Sequence, residues 1–175
     1  AACPGNDLRL GGDEAPPAII SVFLGDALTG LLKSLADGHA YEMGERSQLK
    51  TGVKALPLLV QDDNDRNRTS PFAFTGNKFE FRMVGSSQSI GLANAVIGAA
   101  VADKLRGFAD RLEAAETVDA CIAEIVHQVW DDHGRVIFNG NNYSEEWVAE
   151  AARRGLPNSP TMVDAASAFI REENI

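Results

Sequence analysis

The segment Asn67 to Arg82, NRTSPFAFTGNKFEFR, gathers the residue types best suited to chemistry on an anion. Side chains alternate along a strand, so Lys78, Glu80 and Arg82 fall on one face and Phe79, Phe81 and Met83 on the other. The pattern predicts two buried aromatics and a buried methionine behind a face that presents cation, anion, cation. Arg66 and Arg68 stand just upstream, in a loop punctuated by Pro and Gly. Four cations around one carboxylate suit an anion, and the carboxylate suits a metal. The plain alternative is a solvated strand face with ordinary ion pairs.

A second cluster opens the chain: Asn6, Asp7 and Arg9, then Gly11, Gly12, Asp13, Glu14 and Ala15-Pro16-Pro17. Glycine-rich flanks let a loop approach a ligand closely and let it move. An arginine there binds a carboxylate and a glutamate acts as a base. The competing reading is a simple turn, with Glu14 as an acidic charge at the start of the next helix.

The elements that must position these clusters follow from periodicity. Residues 1–16 read as loop. A helix is expected from Pro17 to about Gly38, because Ile19, Ile20, Phe23, Leu24, Leu28, Leu31, Leu32 and Leu35 keep helical spacing and Pro suits a first turn. Residues 38–56 read as an exposed connection, 57–62 as a short strand or turn, and DDNDRNR as a charged loop. A helix over about 88–114 contains the Ala- and Gly-rich SIGLANAVIGAAVA, whose small residues permit close packing. Thr117 caps a third helix, in which Val118, Cys121, Ile122, Ile125, Val126, Val129 and Trp130 form one apolar face and His127 points to solvent. Arg135–Phe138 is a short strand or a helix end, and Gly140 with its Asn neighbours a turn. Ser144 caps a helix that carries Glu145 and Glu146 in its first turn and is stopped at Gly155. Thr161 with Asp164 starts the last. The helical C-terminal half shows no chemistry of its own; its expected role is to buttress the strand or to make subunit contacts.

Composition excludes several classes. At 175 residues and 45% hydrophobic the chain is long enough for one core. A net charge of -9 and a pI of about 4.8 argue against a nucleic-acid partner. Cys3 and Cys121 are too few and too far apart for a disulfide scaffold or a zinc site, and His39, His127 and His133 keep no ligand spacing. No apolar run reaches membrane-spanning length and there is no signal peptide, so the expectation is a soluble, cytoplasmic protein without a membrane partner. The first residue is Ala1, and the expectation is a piece of a longer chain.

Together, NDLRLGGDEAPPAI and NRTSPFAFTGNKFEFR resemble the C-terminal half of the catalytic domain of glutamine synthetase, and more narrowly its long type III form. FNGNNYSEEWVAEAARRGLPN is similar to the same type. The resemblance spans nearly the whole chain and rests on three ordered motifs. It implies an α+β fold, with antiparallel active-site strands backed by helices. The parts would be a flap loop at 1–16, an active-site loop and strand at 57–84, and a mostly helical part at 88–175.

The same resemblance implies ATP-dependent ligation of ammonia to L-glutamate through γ-glutamyl phosphate, with Mg²⁺ or Mn²⁺. Arg9 would hold the glutamate substrate. Glu14 would close the site and take a proton from ammonium. Arg68 would meet the transferred phosphoryl group, and Arg66 or Arg68 the nucleotide. Glu80 would ligate a divalent metal, and Arg82 would contact glutamate or its phosphoryl adduct. The expected assembly is a homo-oligomer of stacked hexameric rings, a dodecamer. The family's other metal-binding Glu and His residues, and its Gly-x-His nucleotide segment, have no counterpart here, so these 175 residues alone are expected to be inactive. Two other classes compete: a non-catalytic glutamine-synthetase-like assembly or regulatory protein, and a different phosphotransferase such as a γ-glutamyl ligase or guanidino kinase. Retention of Arg9, Glu14, Arg68, Glu80 and Arg82 together speaks against the first, and the DEAPP flap against the second.

Overall fold

The computed structural model of the chain describes residues 5–8, 10–11, 15–41, 48–49, 59–60 and 69–170. Its strands are β1 (Val22–Phe23), β2 (Gln48–Leu49), β3 (Leu59–Val60), β4 (Phe72–Phe74) and β5 (Phe79–Phe81). Its helices are α1 (Asp26–Ala36), α2 (Gly91–Glu113), α3 (Val118–His133), α4 (Glu145–Arg153) and α5 (Met162–Ser167). The architecture is mixed α+β with a mostly helical C-terminal half, as expected. The main sheet has the order β1-β4-β5, and among the described residues β2 pairs with β3. β4 and β5 are antiparallel, with Phe72 opposite Phe81, Ala73 opposite Glu80 and Phe74 opposite Phe79. β1 runs parallel to β4, and Val22 bridges in parallel to Ile137, so the sheet is mixed rather than antiparallel throughout.

The helix expected from Pro17 is shorter than its periodicity suggests. Gly25 takes φ 77° and ψ 162°, which breaks the helical path, and α1 begins only at Asp26. Before it, Val22 and Phe23 join the sheet instead. β-branched and aromatic residues beside an available strand gain more from pairing than from a helix. Ile19 and Phe23 are buried, and Ile20 is 55% exposed. Residues 48–49, read from sequence as part of an exposed connection, form β2.

The turn before α1 is held from afar. Asn139 Oδ1 accepts hydrogen bonds from the Leu24 and Gly25 N–H groups, both at 3.1 Å, and its Nδ2 donates to Thr29 Oγ1 at 2.9 Å. α1 packs on α3, and the end of α1 is held by His127, whose Nδ1 lies 2.8 Å from the Ala36 carbonyl. Cys121 and Ile125 are the buried residues of α3, whereas Val118, Ile122 and Val129 of the expected apolar face are 52%, 45% and 40% exposed.

One core cluster joins Ile19, Trp147, Ala151 and Leu156, with Val136 and Phe138 packed against it. Phe138 stacks on Trp147 at 3.8 Å with planes 10° apart. Ser144 caps α4 by accepting from the Trp147 N–H, and Gly155 stops it with φ 68°. Thr161 caps α5 by accepting from the Asp164 N–H. α2 packs on α3 and has no buried residue of its own; Val96 is 54% and Leu105 60% exposed. Its small residues are therefore not used for close packing among the described residues: a Cβ added at Gly98 or Gly107 would meet nothing.

Candidate functional site

β5 carries the cation–anion–cation row, and the ion pairs read from its sequence form. Glu80 Oε1 lies 3.1 Å from Lys78 Nζ. Glu80 Oε2 accepts from Arg82 Nε at 3.2 Å and Nη2 at 3.0 Å. The partners are held unequally: the Arg82 side chain is 17% exposed, the Glu80 side chain 38% and that of Lys78 65%. The Lys78 ammonium, then the Arg82 guanidinium, hold the Glu80 carboxyl below its usual value. The group is thus an ionised, hard oxygen donor at neutral pH, partly open to solvent.

The opposite face differs from expectation. Met83 is buried, but Phe81 is only half-buried and Phe79 is 50% exposed. The antiparallel register puts Phe72 and Phe74 on the same face as Phe79 and Phe81. The rings pack on one another, with centroids 5.3 to 6.0 Å apart for Phe74–Phe79, Phe72–Phe79 and Phe72–Phe81. This stripe satisfies itself sideways. Among the described residues no second layer closes over Phe79, so alternation alone overstated its burial.

The loop cluster meets the end of β5. Asn6, 7% exposed, donates from Nδ2 to the Met83 carbonyl at 3.0 Å. Leu10 and Ala15 form a buried cluster with Met83, against which Phe81 and Ala18 pack. The Gly11 N–H donates to the Pro16 carbonyl at 3.0 Å, closing the base of the loop, and Gly11 takes φ 81°, a conformation that favours glycine. Glu14 lies between these closed ends in sequence. Glu14, Arg9, Arg66 and Arg68 fall outside the described residues, as does Gly12. The reading of Glu14 as an acidic charge on a helix starting at Pro17 fails, because no helix starts there; α1 begins at Asp26. For the same reason Pro16-Pro17 do not join the loop to a helix.

Sequence reasoning missed the polar core behind this site. Ser21, Ser70 and Asn142 are at most 1% exposed. Ser21 Oγ donates to Asn142 Oδ1 at 2.6 Å, and Asn142 Nδ2 donates to Ser70 Oγ at 3.1 Å. Asn142 lies in a Gly- and Asn-rich stretch that reads as an exposed turn. The sole sequence signal was an excess of Asn, since one turn needs fewer amides than NGNN supplies.

Among the described residues, no group of three or more His, Cys, Asp or Glu is placed to hold a metal. Glu80 offers a single oxygen donor whose type and charge suit Mg²⁺ or Mn²⁺; a complete metal site would need further donors. An apolar cavity of about 300 Å³ lies between α1 and α3, lined by Leu32, Ile125, Val129 and Trp130 among others. Neither Lys78, Glu80 nor Arg82 lines it, and its walls carry almost no polar atoms, so it does not suit anion chemistry. No helix among the described residues is long and apolar enough to cross a membrane.

The sequence is similar to those of several known proteins. A family model for the glutamine synthetase C-terminal domain matches residues 121–175. The chain is 41% identical over 177 residues to a type-3 glutamine synthetase of Dictyostelium discoideum, covering 99% of this chain and 24% of that protein. It is 42% identical over 184 residues to a glutamine synthetase of Butyrivibrio fibrisolvens, covering 99% of this chain and 25% of that protein. It is 44% identical over 161 residues to a glutamine synthetase of Bacteroides fragilis, covering 88% and 22% respectively. The chain spans about a quarter of the length of these curated relatives. The family-model match begins at Cys121, beyond β5, so the segment carrying Glu80 and Arg82 rests on the whole-chain matches and on its own motifs.

Proposed function

Because the chain is related over nearly its whole length to glutamine synthetases, the type-3 form among them, we propose that it forms part of an ATP-dependent glutamate–ammonia ligase. That enzyme would phosphorylate the side chain of L-glutamate and replace the phosphoryl group with ammonia to give L-glutamine. The observation that carries the reading is the meeting of two motifs far apart in sequence. The base of the Asn6–Pro16 loop is bonded and packed onto the end of the strand that presents Glu80 and Arg82.

On this reading each side chain has a task. Arg82, oriented by Glu80, offers a planar fork to the glutamate carboxylate or the phosphoryl adduct. Arg9 holds glutamate, and Arg68 meets the moving phosphoryl group, with Arg66 or Arg68 on the nucleotide. Glu80 would give one oxygen to Mg²⁺ or Mn²⁺, and such an ion would supply neutralisation of phosphoryl charge. Glu14 attracts ammonium and takes its proton once water is excluded. Residues 1–16 are then the flap, 57–84 the active-site loop and strand, and 88–175 the helical support of a catalytic domain. The working assembly is a cytoplasmic homo-oligomer of hexameric rings.

The test is Glu14→Gln in the full-length protein, with two assays. Glutamine formation from ammonia should collapse while ATP and glutamate still bind. Unchanged ammonia-dependent turnover would remove Glu14 from the chemistry. A full-length protein that makes no glutamine from glutamate, ammonia and ATP would point to the assembly or regulatory reading instead.

A further inference from the structure

We infer that Asn142 is a positioning residue for Arg82, acting through the buried corner at Ser70–Pro71; the inference takes the role of Arg82 from the ligase reading. Asn142 is fully buried, and its side chain serves its own turn only through a long bond, Nδ2 donating to the Gly140 carbonyl at 3.4 Å. That turn is built by its neighbour: Asn141 Oδ1 accepts from the Tyr143 N–H at 2.9 Å, and the Asn141 carbonyl accepts from the Ser144 N–H at 3.3 Å. An asparagine at such a place ordinarily serves the local backbone. Here it reaches inward and joins segments 121 and 72 residues away. A residue kept only to fill space would be apolar, since a buried amide is costly unless its hydrogen bonds are made.

The bonds lead toward the site. Asn142 Nδ2 holds Ser70 Oγ, and the next residue, Pro71, is fully buried. Its carbonyl accepts the Arg82 N–H at 2.7 Å, one of the shorter backbone bonds around the sheet. Proline fixes φ and gives this corner little freedom, so a shift at Ser70 is passed to the Pro71 carbonyl. The Arg82 backbone rests on that carbonyl, and its side chain in turn orients Glu80. The other arm of Asn142 goes to Ser21, on the β1 side, away from Arg82.

The two serines give matched variants. In the full-length protein, Ser70→Ala and Asn142→Leu should speed amide exchange in a peptide spanning Phe79–Met83, on the order of tenfold for a loosened bond. In the same variants KM for glutamate should rise by a similar factor, with kcat falling less. Ser21→Ala removes one bond from the same amide and should leave both readings within about twofold of the unsubstituted protein. Unchanged exchange over Phe79–Met83 in Ser70→Ala overturns the inference, and so does an equal effect of Ser21→Ala. If Asn142→Leu does not fold, Ser70→Ala decides. If the unsubstituted protein makes no glutamine, the ligase reading falls, and exchange at Arg82 still judges the positioning on its own.

Discussion

Replacing Arg82 by lysine keeps the charge and removes the fork, so it separates geometry from electrostatics. Two of the guanidinium N–H groups converge on Glu80 Oε2, at 3.2 and 3.0 Å, and the side chain is 17% exposed. An ammonium has no planar pair of donors, so it cannot hold Oε2 in this way and present a second edge to an anion. It would also set two ammonium groups on one carboxylate, because Lys78 already holds Oε1. A hydrogen bond to a charged group is worth about 1.5–3 kcal/mol, so losing one to the substrate anion lowers kcat/KM roughly tenfold to a hundredfold. Lys78→Ala is the comparison. That side chain is 65% exposed, and a surface pair of this kind should move kcat/KM by no more than about threefold. The assay is initial-rate glutamine formation in the full-length enzyme at varied glutamate, with circular dichroism and oligomer size checked in parallel. Wild-type kinetics for Arg82→Lys, or an equal loss in Lys78→Ala, would refute the reasoning.

Three further outcomes are expected. Glu80→Ala should abolish most metal-dependent turnover and leave the thermal midpoint nearly unchanged, because the side chain is partly exposed; a large drop in midpoint with activity kept would reverse the assignment. Glu150, bonded to Arg153 and Arg154, should titrate near a pKa of about 2 instead of 4.5 in a carboxyl-carbon NMR titration. Its folded value is depressed, so whatever its pairs add to stability is present above 4.5, fades as the pH falls toward about 2, and should vanish in Glu150→Gln. In Gly140→Ala the new Cβ would lie 2.5 Å from the Phe138 ring, which is stacked on Trp147 and has little room to yield; a loss of about 1–3 kcal/mol in denaturant unfolding is expected, and a neutral result would show that the stack gives way.

Legibility in the sequence followed the range of the interactions involved. Local signals were read well: the caps at Ser144 and Thr161 and the stop at Gly155 all depend on residues within a few positions of one another. The Pro17 helix failed because its spacing was real but its competitor was distant. Val22 pairs with Phe72, fifty residues on, and Asn139 holds the Leu24 and Gly25 N–H groups just before α1. Phe79 failed for a related reason, since alternation assigns a face but not whether anything covers it. Of the candidate site, the Lys78–Glu80–Arg82 row was legible because a strand of known period needs no partner to define its faces. The buried Ser21–Asn142–Ser70 link was not, because polar residues in a Gly-rich stretch carry the same signal whether they face water or core.

The asymmetry around Glu80 bears on the proposed chemistry. A carboxylate that serves both an arginine and a metal must keep one oxygen oriented while the other remains available. Here the two oxygens are divided in that way. Oε2 is held twice by a mostly buried guanidinium whose backbone rests on the Pro71 carbonyl, and that carbonyl belongs to a fully buried corner. Oε1 is held by an ammonium on a flexible, largely solvated chain. Displacing Lys78 from Oε1 costs little, because an exposed ion pair returns most of its energy to water. Displacing Arg82 from Oε2 would break two hydrogen bonds of a side chain that is only 17% exposed. A divalent cation approaching this strand therefore meets the one oxygen whose resident cation can leave, with the carboxylate already ionised and aimed. The same arrangement explains why the order along β5 matters: with the exposed lysine and the anchored arginine exchanged, the anion-binding fork would lie at the loose end of the strand, away from the Asn6–Met83 contact that brings the first motif to it.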